Sequence, residues 1–295
     1  MLKYTTFHQL LIGEALDDGA WLHILPGRER YALHQQMWVQ GGAAAIETYN
    51  RYQTQRNFTA ARRIFVLLPL AAAEHYVFIG AYDVSTDDRP QQVLPAALSE
   101  QLWVLPEDIG KAHFLVDNHH NPAVLSECIG RLVLRWDKPV RNRSLRAITA
   151  GPQLQLVALR QQPFGPSDIP FPGFHSFHWS FAELAAQLSS PLLAWRSALA
   201  SVAGVYAVTD IEHGLTYIGA AYGETGIWGR WMGYAATQHN DNVLLKDHIL
   251  AHGTQHLRFS VLLTMDLSST RDQVLAKESF FKLALGTRAL GLNEN

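Results

Sequence analysis

The clearest hydrophobic pattern lies in the last third of the chain, where two apolar runs flank a short polar segment. The runs are residues 204–210 and 215–220, and His213-Gly214 between them supplies turn-forming residues. This arrangement predicts a β-hairpin. Side chains alternate between the two faces of a strand, so pairing across the turn can place Tyr206 and Tyr217 on one face.

Glycines stand near the outer ends of the predicted hairpin, at Gly204 and Gly219. A glycine within a strand often marks a place where another group approaches the backbone closely. We therefore expect these two positions to leave backbone open to a ligand.

The apolar positions that follow change to helical spacing. Ile227, Trp231 and Tyr234 recur at three- and four-residue intervals and predict a helix over 226–235. A second helix is predicted over 242–251, and a strand over 257–263. A last amphipathic helix is expected to start at Ser268 or Ser269 as N-cap and to include Glu278.

The pattern upstream of about residue 190 differs, because short strand-like runs dominate it. These runs are residues 64–68, 76–84, 131–136 and 154–159, after an opening helix at 7–16. They suggest a curved sheet or small β-barrel. We therefore predict an α+β chain with a β-rich, barrel-like domain over 1–190. A C-terminal domain over 191–295 would hold a small mixed sheet with flanking helices, preceded by a linker helix.

Composition narrows the class of protein. The chain has 295 residues, and 48% of them are hydrophobic and 17% charged, which is typical of a globular protein with room for two domains. No apolar run approaches the roughly 20 residues of a membrane span, and residues 1–18 lack the order of a signal peptide. The single cysteine, Cys128, fits a reducing compartment. We therefore expect a cytoplasmic protein that does not cross a membrane.

The charge distribution points to one basic stretch. The formal net charge is −2, and residues 201–295 contain seven Lys or Arg against nine Asp or Glu. Phosphate neutralisation by basic residues supplies most non-specific affinity for DNA, so the densest basic run is the predicted DNA-contacting surface. The alternative is that these side chains are simply solvated. The run consists of Arg131, Arg135, Lys138, Arg141, Arg143 and Arg146.

Arg230 adds candidate chemistry to the predicted hairpin. Arg230 and Tyr234 are four residues apart and so project from the same side of the predicted helix. A guanidinium fork can bind two phosphate oxygens. Taken singly, the tyrosines would be core residues and Glu278 would form a surface ion pair with Lys282.

Together, these elements resemble the GIY-YIG nuclease superfamily. Its two motifs read Gly204-Val205-Tyr206 and Tyr217-Ile218-Gly219 here, followed in the family's order by an Arg, a Glu and an Asn. The resemblance covers about residues 204–295. It implies a catalytic set and a metal-binding carboxylate, Glu278, that holds Mg²⁺, for which Mn²⁺ can substitute. The implied catalytic residues are Tyr206, Tyr217, Arg230, Tyr234, Glu278 and Asn293.

The resemblance also implies a role for each group in phosphodiester hydrolysis. Tyr206 would accept or relay the proton of the attacking water, which requires a nearby cation because the reference pKa of a phenol is about 10. Tyr217 would orient the water or phosphate, and Arg230 would hold its oxygens. Some members have a Lys after the second motif where this chain has Ala220-Ala221, which leaves the general base open.

Several readings remain open. The leading one is a Mg²⁺-dependent DNA endonuclease of restriction or defence type, with the N-terminal domain selecting a sequence or modified base. The others are a repair or recombination nuclease for branched DNA and a catalytically inactive DNA-binding protein. One site cuts one strand per engagement, so a double-strand break needs a homodimer or sequential nicks.

The aromatic and histidine residues supply further candidates. A base-reading barrel, as in PUA-like modules, would use an aromatic pocket. Its ring candidates are Trp38, Tyr76, Tyr82 and Trp136. His248 and His252 stand four apart on a predicted helix, but without an adjacent Glu or Cys their spacing is not a zinc signature.

Overall fold

The structure is a computed structural model, and it describes residues 4–12, 18–26, 31–95, 98, 104, 108–137, 142–176, 178–189 and 191–294. The chain divides into two compact units, one up to Ile169 and the other from Pro170 onward. The second unit therefore includes residues that the sequence assigned to the N-terminal domain. Of the predicted opening helix, residues 13–16 lie outside the described ranges.

The first unit combines many short strands with three helices among its described residues. The helices are α1 (Phe7–Ile12), α2 (Tyr31–Arg51) and α3 (Ala147–Ala150). The strands are β1 (Ala20–Ile24), β2 (Tyr52–Gln53), β3 (Arg63–Pro69), β4 (His75–Val84), β5 (Gln91–Val93), β6 (Ala112–Leu115), β7 (Asn118–His120), β8 (Leu132–Arg135), β9 (Ser144–Arg146) and β10 (Gln155–Leu159). The four predicted strand runs are confirmed as β3, β4, β8 and β10.

The main sheet of this unit is open, which corrects the predicted barrel-like form. Its seven strands follow the order β10-β8-β4-β3-β1-β9, with β7 also pairing with β4. Within the described ranges, its terminal strands β10 and β9 are not paired with each other. The pair β1–β3 is parallel because helix α2 lies in the connection between them. Strands β2, β6 and β5 form a separate small sheet.

A buried histidine lies on strand β1. The His23 ring hydrogen-bonds through Nδ1 to Asn50 Oδ1 at 2.9 Å and contacts the ring of Phe58 at 5.1 Å between centroids. Burial lowers the pKa of His23 from 6.5 to about 4, because the Asn50 hydrogen bond only partly offsets desolvation and the charge of Arg143 lowers it further. The imidazole is therefore neutral in the folded protein near neutral pH.

The buried imidazole predicts that the first unit loses stability in mild acid. The unfolded chain takes up this proton below about pH 6.5 and the folded chain only near pH 4. The free energy of unfolding of the first unit is therefore unaffected by this proton above pH 6.5. It falls, by at most about 3 kcal/mol, as the pH drops towards 4. Backbone hydrogen exchange in peptides that cover β1 tests this loss of stability, when its urea dependence is measured at pH 7.5 and at pH 5.0.

The variant that isolates this effect is His23→Gln, because its side chain cannot take up the proton. It should lower stability at pH 7.5 and flatten the pH dependence. Equal stability of the wild-type unit at the two pH values would contradict the prediction.

The second unit is built around one small sheet. Its helices among the described residues are α4 (Phe181–Ser189), α5 (Leu193–Ala200), α6 (Gly226–Thr237), α7 (Val243–His252), α8 (Arg271–Ala284) and α9 (Thr287–Leu290). Its strands are β11 (Trp179–Ser180), β12 (Val202–Asp210), β13 (Thr216–Ala221) and β14 (Leu257–Asp266), in the order β11-β14-β12-β13. All three pairings are antiparallel. The predicted mixed sheet was wrong, because the β12–β13 hairpin and the returning strand β14 give no parallel neighbour.

The two faces of this sheet carry different side chains. On one face, small and branched residues of β12 and β13 pack with Val274 and Phe281 of α8. The other face carries Tyr206 and faces α6. Helix α8 starts one or two residues later than predicted. Its N-cap is Thr270, which forms a reciprocal capping box with Gln273 in place of the expected serines.

In the described part of the chain, none of the helices has the length and apolar character needed to cross a membrane. The single cysteine, Cys128, is partly buried and packs against the core of the first unit.

Candidate active site

The predicted hairpin is confirmed, and its register brings the motif tyrosines to one face. Tyr206 of β12 lies opposite Gly219 of β13, and Val208 lies opposite Tyr217. Residues 206, 208, 217 and 219 therefore share a face of the sheet. Helix α6 covers this face and adds Tyr234 to it.

The three phenols form one cluster. The hydroxyl oxygens of Tyr206 and Tyr234 are 3.0 Å apart and share a hydrogen bond. The Tyr217 ring lies beside that of Tyr234, with 6.5 Å between their centroids. Asn242, the residue before α7, donates from Nδ2 to the Tyr234 hydroxyl at 2.9 Å. Tyr206 and Tyr234 are fully buried, and Tyr217 is 7% exposed.

Arg230 lies at the solvent-facing side of the phenol cluster. It is exposed, yet its positive charge interacts with the Tyr206 hydroxyl. Burial of part of the side chain lowers its pKa, but the interactions with Tyr206, Tyr234 and Tyr217 outweigh this and raise the pKa overall. The cluster thus presents one permanent positive charge to solvent beside buried hydroxyl groups.

The surroundings of Tyr206 keep its hydroxyl protonated at neutral pH, and its role as proton acceptor stays a prediction. Burial raises the pKa of Tyr206 strongly, and the nearby Tyr217 raises it further. Arg230 and the hydrogen bond from Tyr234 lower it, but desolvation prevails. Burial likewise raises the pKa values of Tyr217 and Tyr234. All three hydroxyls are therefore protonated at neutral pH and can donate hydrogen bonds.

The motif glycines serve packing, which differs from the predicted opening of backbone to a ligand. A Cβ at Gly219 would lie 2.4 Å from the Tyr206 hydroxyl and 2.8 Å from Cε1 of Tyr217. A Cβ at Gly204 would meet the carbonyl oxygen of Leu263 on β14. Gly219 therefore provides the space in which the Tyr206 ring lies, and Gly204 permits close approach of β14.

Gly219→Ala is expected to displace the Tyr206 ring and lower the stability of the second unit by about 1–3 kcal/mol, the usual cost of overpacking a core. The thermal unfolding midpoint measures this. In a Tyr206→Ala background the same change should cost much less, because the clashing ring is gone. Equal costs in both backgrounds would contradict the packing role.

Glu278 lies on α8 and is 9% exposed. Its Oε1 forms an ion pair with Lys282 Nζ at 3.4 Å, as the sequence alone suggested. Its carboxylate also acts on the phenol cluster. Burial raises the pKa of Tyr217, and the negative charge of Glu278 raises it further. Glu278 therefore acts on Tyr217 through its charge and forms an ion pair with Lys282.

The Asn293 side chain binds the hairpin backbone. Its Oδ1 accepts the N–H of Ile218 at 2.9 Å, and its Nδ2 donates to the carbonyl of Ile218 at 2.8 Å. Leu292 N–H adds a bond to the carbonyl of Thr216. Asn293 therefore acts on the site through β13 and is a positioning residue.

The predicted basic surface is divided in the fold. Arg131 directly precedes β8 and Arg135 ends it, while Arg146 ends β9. Four strand spacings of about 4.8 Å, or about 19 Å in all, separate β8 from β9. Arg143 precedes β9. Lys138 and Arg141 lie outside the described residues.

Three of these arginines have partners within the first unit. Arg131 donates to the carbonyl of Arg160 and pairs with Glu127. Arg135 pairs with Asp137 at 2.6 Å. Arg146 donates to the carbonyl of Asp18 and lies 4.6 Å over the ring of Trp21. Their role as a DNA-contacting surface stays a prediction.

The four proposed ring candidates of the first unit do not form one exposed group. Tyr82 is fully buried and Trp136 is 7% exposed. Tyr76 is half-buried and packs with Trp136 against the core, while Trp38 lies on α2 and is half-buried. Tyr82 and Trp136 are therefore unavailable to an extruded base without a change in packing.

Sequence reasoning missed one residue that contacts the phenols and one cluster elsewhere in the unit. Asn242 had a signal in the sequence, since it precedes a predicted helix. No signal in the sequence indicated the cluster of Asp210, His213 and His248, because Asp210 and His213 are far from His248 in the chain.

Comparison with known proteins gives partial matches only. No family model and no curated protein matches the chain. Two solved structures match part of it: a mutant catalytic domain of intron endonuclease I-TevI and the catalytic domain of homing endonuclease I-TevI. The first is 18% identical over 32% of this chain and 94% of that chain, and the second 20% identical over 31% and 96%. Both have a TM-score of 0.27, which supports no conclusion about activity.

Proposed function

We propose that this chain is a metal-dependent DNA endonuclease that hydrolyses phosphodiester bonds in its second unit. The observation that carries the proposal is the meeting of Tyr206, Tyr217 and Tyr234 with Arg230, together with the negative charge of Glu278 that acts on Tyr217. These residues fall in the order of the two GIY-YIG motifs and their following Arg and Glu. Any one of them alone would be an ordinary core or surface residue.

The charge arrangement suits an anionic substrate. Arg230 is exposed and keeps its charge at all relevant pH values. Its planar fork can donate to two phosphate oxygens at once. The protonated hydroxyls of Tyr206 and Tyr217 add donors for a phosphate oxygen or for the attacking water. In phosphoryl transfer, this kind of positioning and charge stabilisation supplies most of the catalysis.

Glu278 is the residue that would hold a divalent ion. Its donor chemistry fits Mg²⁺, which prefers one or two carboxylates and takes its remaining oxygen ligands from water and substrate phosphates. Lys282 would have to share the carboxylate, since it pairs with Oε1. Lewis-acid stabilisation of the phosphate charge is what Mg²⁺ or Mn²⁺ supplies when bound.

The biological role is proposed by analogy. A chain with a separate first unit of some 170 residues and a cleaving second unit suits a restriction or defence nuclease, in which the first unit selects DNA sequence or a modified base. Cleavage of a panel of unmodified, base-modified and branched DNAs would separate this role from repair of branched DNA.

Plasmid nicking tests the activity itself. Supercoiled plasmid is incubated with the full chain in Mg²⁺, in Mn²⁺ and in chelator. We expect nicked product with either ion, none in chelator, and a large loss for Tyr206→Phe. Tight DNA binding with no cleavage under either ion would overturn the proposal and indicate an inactive DNA-binding protein.

A further inference from the structure

A second cluster of metal-binding side chains lies at the turn of the hairpin. Asp210 ends β12, His213 lies in the β12–β13 turn, and His248 lies on α7. The ligand atoms of these three residues all lie within 4.8 Å of one another. Tyr206 and Asp210 are four residues apart on one strand, so their backbones are about 13 Å apart. The cluster is therefore separate from the phenol cluster.

The carboxylate of Asp210 already points one oxygen at both histidines. Its Oδ2 is 2.6 Å from His248 Nε2 and 3.0 Å from His213 Nδ1. Its Oδ1 accepts the backbone N–H groups of Glu212 and His213, which fixes the orientation of the carboxylate. Asp210 is 1% exposed. Oδ1 is thus hydrogen-bonded to the backbone of the turn, and Oδ2 is directed at two imidazole nitrogens.

A third histidine adjoins this group. His252 lies one helical turn after His248 on α7, and its ring centroid is 4.1 Å from that of His213 and 4.7 Å from that of His248. Unlike the buried His248, His252 is exposed. The cluster therefore has an open side towards solvent, through which an ion can enter, and a further imidazole beside it.

We propose that Asp210, His213 and His248 bind a divalent transition-metal ion, with Zn²⁺ the best match. Two imidazoles and one carboxylate are a donor set that Zn²⁺ and its neighbours favour, with a remaining position for water or His252. Mg²⁺ and Ca²⁺ prefer oxygen donors throughout, so this site and Glu278 select different ions. On binding, the ion takes the place of the imidazole protons between the rings and Oδ2, and each proton moves to the other nitrogen of its ring or to solvent.

The bound ion would join parts of the unit that are distant in sequence. It would tie the hairpin turn to helix α7. That helix begins after Asn242, whose amide donates to the Tyr234 hydroxyl. The site is thus a structural brace for the helix whose first end adjoins the phenol cluster.

Metal binding by the full, tag-free chain tests the proposal independently of any nuclease activity. Chelator-treated protein is titrated with ZnCl₂ by calorimetry in excess Mg²⁺, and with Co²⁺ by visible absorption. We expect one Zn²⁺ per chain with a dissociation constant in the micromolar range or tighter. We also expect Co²⁺ d–d bands typical of four or five ligands, and a rise in the thermal unfolding midpoint with Zn²⁺.

Three variants distinguish the site from loosely bound ions. His213→Gln and His248→Gln should each weaken Zn²⁺ binding at least 10-fold and remove the Co²⁺ bands. His256→Gln is the matched control, since His256 is close to the same turn but pairs with Glu212 at 2.8 Å, and it should bind Zn²⁺ as the wild type does. His213 is partly exposed, so its variant should fold even where His248→Gln does not. No stoichiometric binding by the wild type, or undiminished binding by His213→Gln, would overturn the proposal.

Discussion

Glu278→Gln is expected to reduce DNA cleavage by about 1,000-fold or more while the chain still folds and binds DNA. The amide keeps the size of the carboxylate but loses the negative charge that would hold the divalent ion. Lewis-acid stabilisation is worth several kcal/mol, and about 4 kcal/mol corresponds to about 1,000-fold in rate. Single-turnover cleavage of a plasmid in Mg²⁺, with binding measured separately in Ca²⁺, gives the comparison.

The ion pair with Lys282 provides the decisive control. Lys282→Met breaks the pair at its other end and leaves the carboxylate in place. If Glu278 served only to hold α8 through that pair, both variants would lose activity alike. We expect Lys282→Met to retain most of the activity. Comparable losses for the two variants, or normal cleavage by Glu278→Gln, would refute the metal-binding role.

Arg230→Ala is expected to lower the cleavage rate by about 100- to 1,000-fold, the usual cost of removing one donor that stabilises transition-state charge. Arg230 is exposed, so its removal should cost little stability. Arg230→Lys should recover only part of the rate, because an ammonium group cannot donate to two phosphate oxygens in the same fixed plane.

Arg271→Ala serves as the matched control for this variant. Arg271 is an exposed arginine of the same unit, placed over the ring of Tyr222 at the start of α8. Arg271→Ala changes the net charge by the same amount as Arg230→Ala and should leave the cleavage rate within a few-fold of the wild type. Equal losses in the two variants would show that Arg230 contributes only general charge.

The second unit could be predicted well because its signals are local. The hairpin, α6, α7 and β14 followed from the spacing of apolar residues over 204–263, and the register then placed Tyr206 and Tyr217 on one face. The glycines were assigned for the wrong reason. Their true role depends on which ring fills the space above Gly219, and that is a tertiary contact no residue spacing contains.

The first unit was predicted less well because its pairing is non-local. Strands β3, β4, β8 and β10 have strong apolar runs and were predicted. Strand β1 and helix α2 were missed, and they create the parallel pair β1–β3 within the open sheet. Helix α2 is interrupted by Gly42 with φ 55° and contains small and polar residues, so its apolar periodicity is weak.

The histidine site was hidden for a related reason. Sequence spacing brought His248 and His252 together on one helix, but the carboxylate that orients His248 is 38 residues away at the end of β12. Only the antiparallel return of the chain brings Asp210 to α7. Metal sites assembled from several elements share this property, since their ligands need not be near each other in the chain.

The clamp of Asn293 on Ile218 has a consequence for how the protein is made. The ribosome synthesises strand β13 about 75 residues before Asn293, whose side-chain amide binds that strand. During this interval the outer edge of the hairpin has unpaired backbone groups, which are a template for association with other chains. A premature stop codon at position 293 would therefore yield a truncated chain that is prone to aggregation, although this chain still contains every residue of the phenol cluster.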